Sequence, residues 1–393
     1  MALTESFKIA ASMWLFMRAF AKALILYINE NKTPAQENLK GVGLTEDTKL
    51  PEKLPTAVDI KKALPRRCFK PELSTSMYYF VKDVVQVVVC YAVFYSLHQA
   101  VPMLYWPSMV FYWAIQGTFF TAVFVLGHDC GHDSFSNYPL LNTIVGNIMH
   151  CFLLTPYYMW KLSHKVHHKF NANYDKDEVF YPVKQSDSTS EGKVIPAFGF
   201  GIGWFWYLCF GYRPRTVKHF DVFQPLFAGH LFNCVLSLTG IILMGFAVYN
   251  YYMAYGFLAL FNYYLVPLFI FGSYTVIITF LHHTEMNIPW YPAKSWDFVR
   301  GQLSTIDRHY GIVHGLIHNI GTHQMHHMFT KIPHYYLEEA TTHFRASFPD
   351  LVRTCDEPIM SSFFRMFKKY DAQKVMDDKT EIYYYKEMPE KCN

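Results

Sequence analysis

Three short clusters of histidine stand out among the 19 histidines of this 393-residue chain. On an α-helix, residues three and four apart lie on one face, so each cluster directs two or three imidazoles the same way. One cluster has the spacing HxxxH and two have the spacing HxxHH, which chance does not readily produce in one chain. The pattern predicts a metal site built from eight residues: His128, His132, His164, His167, His168, His323, His326 and His327.

The number of imidazoles indicates how many ions the site holds. One zinc ion takes four protein ligands, so eight imidazoles suit two adjacent ions better than one. Imidazole without thiolate is compatible with iron, copper, nickel or zinc, and the spacing alone does not choose among them. The eight cysteines form no CxxC pair, which argues against a thiolate metal site and against a disulfide framework.

Long apolar segments must position these clusters. Residues 84–128 and 222–284 contain no Asp, Glu, Lys or Arg over 45 and 63 residues. A single helix crosses a bilayer with about 20 residues, so each segment is long enough for two crossings. The sequence breaks near residues 98–102 and 249–252 predict the turns. We therefore expect an all-α integral membrane protein with four transmembrane helices arranged as two hairpins.

The distribution of basic residues predicts the orientation of these hairpins. The predicted hairpin tips carry no Lys or Arg, whereas the flanking segments at 61–70, 161–169 and 213–218 are basic. By the positive-inside rule the flanking segments are cytosolic, and all three histidine clusters lie on their side. The sequence thus predicts a cytosolic helical cap that holds the metal site.

The remaining segments suggest three regions. Residues 1–56 comprise an apolar segment at 9–28, which we interpret as an amphipathic interfacial helix with a signal anchor as the alternative, and a polar linker. Residues 57–350 form the predicted membrane domain, and residues 351–393 a cytosolic C-terminal tail. The apolar stretch 140–160 contains Pro156 and is predicted to lie at the interface or to span. The net charge of +4, without a Lys/Arg run, argues against nucleic acid as a partner.

The clusters and their flanking sequences resemble the membrane fatty acid desaturases, in particular the methyl-end (Δ12/ω3) group. The resemblance covers roughly residues 55–345. It includes GHDCGH at 127–132 with SFS at 134–136, WKLSH at 160–164, DEVF at 177–180, FVRGQ at 298–302, TIDR at 305–308 and IPHY at 332–335. The chain lacks the HPGG motif of front-end desaturases, and its third cluster opens with histidine instead of glutamine. The first cluster has three residues between its histidines, where stearoyl-type desaturases have four.

This resemblance implies a function and further ligands. It implies two non-haem iron ions, O2 as co-substrate and electrons from a separate cytochrome b5 with its NADH-dependent reductase. Breaking the C–H bond of an apolar acyl chain requires such an oxidant. The substrate would be a phospholipid or other acyl lipid in the endoplasmic reticulum membrane. The resemblance adds His283 and His318 to the ligand set but leaves His282 out. Both His282 and the short spacing from His318 to the third cluster favour ω3 over Δ12.

Two alternative functions stay open at this point. A hydroxylase, acetylenase or conjugase uses the same scaffold, and only product analysis separates these from a desaturase. A metal transporter would place ionisable residues inside the crossings, where only His98 and His230 occur.

Other polar residues receive weaker assignments. Asp129 and Asp133 could orient ligating imidazoles or be solvated loop carboxylates. A second set could contact a head group or the electron donor, or form half-exposed structural pairs: Asp177, Glu178, Asp307 and Arg308. We interpret the remaining histidines as structural: His98, His150, His219, His230, His309, His314, His334 and His343.

Overall fold

The computed structural model describes residues 53–188 and 199–387, which are mostly α-helical. The predicted interfacial helix at 9–28 and nearly all of the polar linker lie outside the described residues. Within the described ranges the α-helices are α1 Ala57–Ala63, α2 Leu73–Ala100, α3 Tyr105–Gly131, α4 Pro139–Phe152, α5 Tyr157–Phe170, α6 Ile202–Phe210, α7 Leu231–Leu260, α8 Val266–His283, α9 Phe298–Leu303, α10 His323–Met328, α11 His334–Ser347 and α12 Ile359–Gln373.

Short elements connect these helices. A π-helical turn, Phe261–Leu265, joins α7 to α8. Two strands, β1 Val183–Lys184 and β2 Val375–Met376, pair in parallel. The 3₁₀ turns are Arg66–Phe69, Pro102–Leu104, Gln185–Asp187, Pro225–Phe227, Gly311–Val313 and Pro349–Leu351.

Helices α2 and α3 form the first predicted hairpin. The turn Pro102–Leu104 separates them, which confirms the predicted break at 98–102. The valine-rich run at 84–89 is β-branched and would favour a strand in water. In hydrocarbon a helix satisfies every backbone group within one segment, so such a run is helical there. Val81, Val85 and Val88 on α2 are about half exposed, whereas the second half of α3 is buried throughout.

Helices α7 and α8 form the second apolar unit. The backbone break lies at Gly256, with φ +80° and ψ 171°, and the predicted turn at 249–252 is helical instead. A residue with a Cβ is strained at positive φ, and glycine is not. The break therefore occurs at the nearby glycine and not at the tyrosine-rich sequence that the prediction singled out.

Three helical stretches are long and apolar enough to cross a membrane, among the residues that the structure describes: Leu73–Ala100, Pro102–Gly131 and Leu231–His283. The third has 53 residues, more than twice the length of about 20 that one crossing needs. The chain is therefore a membrane-associated helical protein. The fourth crossing and the cytosolic position of the cap stay predictions.

The stretch 140–160 forms two separate helices, each of 14 residues, on either side of Pro156. Neither is long enough to span a bilayer. Helix α4 approaches α3 closely at Gly127, where a Cβ would lie 2.3 Å from the ring of His150. The end of α3, which carries the first histidine cluster, also lies against α5, which carries the second, because a Cβ at Gly131 would lie 3.3 Å from the ring of Trp160.

The cap over the histidine-bearing ends contains α1 and α9–α12. Asp307 fixes the start of α10, because its Oδ1 accepts the backbone N–H groups of His323 at 2.6 Å and Gln324 at 2.8 Å. Such groups have no partner within their own helix. Arg345 donates to Oδ2 of the same carboxylate at 2.8 Å. The sequence left a head-group or donor contact and a structural pairing open for Asp307, and the structure favours the pairing, which holds the helix of the third cluster in place.

The described part of the predicted C-terminal tail contributes α12 to this cap and packs against the end of α8 and the loop that follows it. Phe363 and Tyr370 on α12 lie against Phe280, with ring centroids 5.8 and 5.5 Å apart. Tyr383 exchanges backbone hydrogen bonds with Trp290. The segment after residue 350 is thus part of the cap over the histidine clusters.

Candidate metal centre

The first group of convergent imidazoles comes from three helices. Its ligand atoms all lie within 4.8 Å of one another. The Nε2 atoms of His128 and His132 are 3.2 Å apart, and those of His164 and His168 are 3.0 Å apart. His326 from α10 completes the group. Five of the eight histidines predicted from spacing therefore surround one point.

The second group lies directly beside the first. His167, His283 and His327 have ligand atoms within 4.8 Å of one another. The Nε2 atom of His283 is 3.2 Å from that of His167 and 3.1 Å from that of His323. All eight predicted cluster histidines thus belong to one buried assembly, and His283, implied only by the resemblance, joins them.

The spacing of these nitrogens fits metal ligation. A metal–imidazole bond measures about 2.0–2.1 Å, so neighbouring ligands of one ion have nitrogens about 2.9–3.4 Å apart. The separations of 3.0–3.2 Å fall in this range. The buried Nε2 atoms of His326 and His327 have no hydrogen-bond partner among the described residues, and unpaired buried polar atoms are costly. The donor set therefore fits two metal ions.

Burial also keeps the cluster imidazoles in the form that binds metal. Desolvation lowers the pKa of His132, His164 and His168 well below its ordinary value, and neighbouring imidazoles lower it further. The same causes lower the pKa of His326 and His327. Neutral imidazole is the form that coordinates a metal.

Buried polar side chains orient two of the imidazoles through hydrogen bonds at Nδ1, the ring nitrogen that faces away from the second group. His167 Nδ1 donates to Asp177 Oδ1 at 2.8 Å, which leaves Nε2 directed at the second group. Gln302 Oε1 lies 3.2 Å from His327 Nδ1, and Gln302 Nε2 donates to the carbonyl of His168 at 2.8 Å. Partners of this kind fix the tautomer and ring orientation of metal ligands. The sequence reasoning missed Gln302, although it ends the FVRGQ run that the resemblance singled out.

His318 lies outside both groups. Its Nε2 is 2.6 Å from Asp83 Oδ2, and both side chains are fully buried. Its ring packs 4.3 Å from that of His334, whose Nδ1 donates to Asp129 at 2.9 Å. Asp129 Oδ1 is in turn 3.7 Å from His128 Nδ1. Two side chains, those of His334 and Asp129, therefore separate His318 from the imidazole of His128.

The other polar residues singled out from the sequence have separate roles. His282 Nδ1 donates to the carbonyl of Ile306, and its Nε2 lies 3.1 Å from the hydroxyl of Tyr310, so it stays outside the groups as expected. Asp133 pairs with Lys161 at 2.8 Å. Glu178 is buried, and burial raises the pKa of its carboxyl to about 8. None of the histidines interpreted as structural belongs to either group among the described residues.

A third cluster of ligand-type residues is not a metal site. Glu285, Cys355 and Glu357 lie close together. Arg308 donates to Glu285 at 2.5 Å, and Arg365 donates to Glu285 at 2.8 Å and to Glu357 at 2.6 Å. Two guanidinium groups already balance the two carboxylates, so this network is a structural link between α8, the following loop and α12.

A narrow cavity, with a free volume of about 80 Å³, opens onto both imidazole groups. Five of the assembled histidines line it: His128, His164, His167, His283 and His323. Most other lining side chains are apolar or aromatic, among them Phe124, Phe180, Trp204 and Val276. The cavity suits a hydrocarbon chain held against the imidazoles.

Replacing Asp177 by asparagine is expected to weaken metal binding by about 10- to 100-fold, because His167 loses the carboxylate that orients it. Metal affinity of the purified protein, measured by competition with a chelator, tests this. Asp175→Asn is the matched control, since the Asp175 side chain is 29% exposed and pairs with Lys184 away from the histidines. Equal affinities for the two variants would contradict the role given to Asp177.

Fold and site together define a membrane-associated helical protein with a buried histidine centre open to an apolar cavity. A sequence model of the fatty acid desaturase family matches residues 104–358. The chain is 36% identical over 349 residues to an sn-1 acyl-lipid omega-3 desaturase (ferredoxin) of Nostoc sp. (strain 36), covering 86% of this chain and 93% of the relative. It is 36% identical over 356 residues to a Delta(12)-fatty-acid desaturase of Arabidopsis thaliana, covering 85% and 92%.

A third relative is the acyl-lipid omega-3 desaturase (cytochrome b5), endoplasmic reticulum, of Arabidopsis thaliana. It is 38% identical over 295 residues, covering 72% of this chain and 74% of the relative. The chain belongs to the membrane fatty acid desaturase family and is an oxidoreductase. This confirms the family predicted from the histidine clusters and their flanking motifs.

Proposed function

We propose that this enzyme inserts a cis double bond toward the methyl end, at the ω3 or Δ12 position, of an acyl chain carried by a membrane lipid. The observation that carries the proposal is the apolar cavity lined by histidines of both imidazole groups. An acyl chain in this cavity has its methylenes beside the centre and its surface against apolar walls. Two of the relatives are named omega-3 desaturases and one is named a Delta(12) desaturase, which supports these two positions.

Nine histidines would hold the metals in this proposal: the eight cluster residues and His283. Two non-haem iron ions bound there would supply dioxygen activation, the chemistry needed to break an unactivated C–H bond. His318 was implied as a tenth ligand by the resemblance, but its contact with Asp83 supports a positioning role instead.

The protein's own residues bind and orient the substrate. The reaction removes one hydrogen atom from each of two neighbouring methylenes, and a double bond replaces the single C–C bond. These two hydrogens, with two electrons and two protons from outside, reduce O2 to two molecules of water. Phe124, Phe180 and Trp204 line the cavity and exclude bulk water from the reacting carbons. Asp177 and Gln302 hold His167 and His327 in orientation.

We infer that the two electrons come from a separate cytochrome b5 and its NADH-dependent reductase, in the endoplasmic reticulum membrane. One relative is named for cytochrome b5 and the endoplasmic reticulum, whereas the Nostoc relative is named for ferredoxin. The absence of Lys and Arg from the predicted hairpin tips supports a multi-pass topology with cytosolic histidine clusters.

Fatty acid profiling of a heterologous host tests the proposal. A yeast strain with an active cytochrome b5 system expresses the chain and receives oleate and linoleate in separate cultures. We expect α-linolenate from linoleate for ω3 activity, or linoleate from oleate for Δ12 activity. His167→Ala serves as the inactive control. Hydroxylated, acetylenic or conjugated products would place the enzyme with the alternative chemistry, and no new product despite membrane expression would refute the proposal.

A further inference from the structure

Helix α5 carries lysines next to the histidines of the second cluster. Lys161, Lys165 and Lys169 follow one another at intervals of four residues, which places them on one side of the helix. The side chain of Lys165 is about half exposed, and Lys169 is exposed. The same helix directs His164, His167 and His168 into the centre, so this basic surface lies one helix away from the candidate metals.

Two further lysines extend this surface. Lys331 lies 3.8 Å from Asp133, the carboxylate that also contacts Lys161 at 2.8 Å and Lys165 at 3.8 Å. At the other end, Lys169 and Lys176 lie 5.1 and 5.3 Å from the ring of Phe170. The lysine face is therefore a continuous surface formed by the exposed Lys165, Lys169, Lys176 and Lys331, with the buried Lys161 beneath it.

The charge of the lysine face is strongly positive. Its four lysines are exposed, and Asp133 pairs most closely with the buried Lys161 at 2.8 Å, whereas Lys165 and Lys331 lie 3.8 Å from it. The nearby Asp175 is paired with Lys184 at 2.6 Å, and Asp177 and Glu178 are buried. A surface with unbalanced charge of one sign attracts a partner of the opposite sign and raises its association rate. The lysine face thus fits an acidic partner.

A short chain of contacts links the edge of the lysine face to the imidazoles. The ring of Trp296 lies 5.9 Å from that of Phe170, and its Nε1 donates to the carbonyl of Asn171 at 2.8 Å. Asn171 Nδ2 donates to the carbonyl of Gly301 at 2.6 Å. The next residue, Gln302, donates to the backbone carbonyl of His168 and contacts the ring nitrogen Nδ1 of His327. Three residues therefore connect a half-buried surface indole to the backbone of the second cluster and to the imidazole of His327.

We propose that the lysine face is the docking surface of the electron donor, an acidic one-electron carrier protein. The proposal rests on the proposed function, because only an oxidoreductase fed by a separate donor needs such a surface. Docking here brings the donor within about one helix diameter, roughly 10–12 Å, of the imidazoles. The half-buried Phe170–Trp296 edge is the point of entry toward them.

The test compares two variants that each remove four positive charges from exposed positions. The first is Lys165→Gln/Lys169→Gln/Lys176→Gln/Lys331→Gln. The control is Lys61→Gln/Lys62→Gln/Arg66→Gln/Lys70→Gln, which neutralises the basic segment before α2. Both are placed in nanodiscs of phosphatidylcholine alone, so that no anionic lipid contributes. Binding of a soluble, acidic cytochrome b5 domain and the rate of its reoxidation are measured at low and high salt.

We expect the lysine-face variant to bind the carrier at least about tenfold more weakly at low salt, with the difference shrinking at high salt. The control should differ from the wild type by less than threefold. Product formation driven by a chemical reductant should be equal in all three proteins. Unchanged carrier binding in the lysine-face variant, or an equal loss in the control, overturns the docking site. Absence of product from the wild type with the chemical reductant would instead refute the proposed function, while carrier binding still decides the docking site.

Discussion

Replacing His326 by alanine is expected to abolish product formation, a loss of more than 100-fold, while the protein still folds and inserts into the membrane. His326 belongs to the five-histidine group, and its Nε2 has no hydrogen-bond partner among the described residues. Orienting partners of a ligand already contribute 10- to 100-fold to metal affinity or activity. Loss of the ligand itself should therefore have a larger effect.

Metal content and membrane expression are measured alongside product. We expect the variant to retain about one of two iron ions, because the group of His167, His283 and His327 is intact. His343→Ala is the matched control, since His343 is exposed and belongs to neither group. Full activity in His326→Ala, or an equal loss in His343→Ala, would show that the assembled imidazoles do not form the catalytic centre.

The centre could be predicted from sequence because local spacing determines it. His164, His167 and His168 share one helix, and the i, i+3, i+4 pattern alone shows that they point the same way. A hairpin returns to the side of the membrane from which it starts, so the ends of α3 and α8 are expected on one side. His128 and His283 lie at these ends, beside the histidines of α5. Neither inference requires knowledge of long-range packing.

The position of His318 could not be predicted in this way. Spacing along the sequence would predict its direction only if residues 318–323 were helical, but His318 and Asn319 have φ of +58° and +53°. L-residues rarely adopt such values, and no periodicity in the sequence marks them. The partner Asp83 is 235 residues away in sequence, so the contact depends on tertiary packing alone.

The orienting groups were only partly predictable for a related reason. Asp177 stood out as a carboxylate after the second cluster, but its contact with His167 depends on the loop that follows α5. Gln302 carries no charge and lies 25 residues from His327 in sequence. A neutral side chain in a separate short helix leaves no spacing signal, whereas a cluster of histidines does.

A comparison of His318→Ala with His283→Ala separates a structural histidine from a ligand. Both side chains are buried, so each substitution leaves a similar space. His318→Ala also leaves the buried Asp83 without its imidazole partner, and Lys82 at 3.8 Å is then its nearest cation. Breaking a buried charged pair costs about 3–5 kcal/mol. We therefore expect His318→Ala to lower the unfolding free energy of the metal-free protein by about this amount, and His283→Ala to lower it less.

The metal content of the two variants should rank in the reverse order, with His283→Ala losing more metal than His318→Ala. His283→Ala is expected to lose about one of two ions, since His283 Nε2 faces those of His167 and His323. His318→Ala should bind both ions under conditions where it is folded. Adding Asp83→Asn to His318→Ala removes the stranded charge and should recover part of the lost stability, because the cost lies in the unpaired carboxylate. Loss of an ion from His318→Ala with unchanged stability would instead make His318 a ligand, as the resemblance to the desaturases implied, and would show that its contact with Asp83 does not persist in the metal-loaded enzyme.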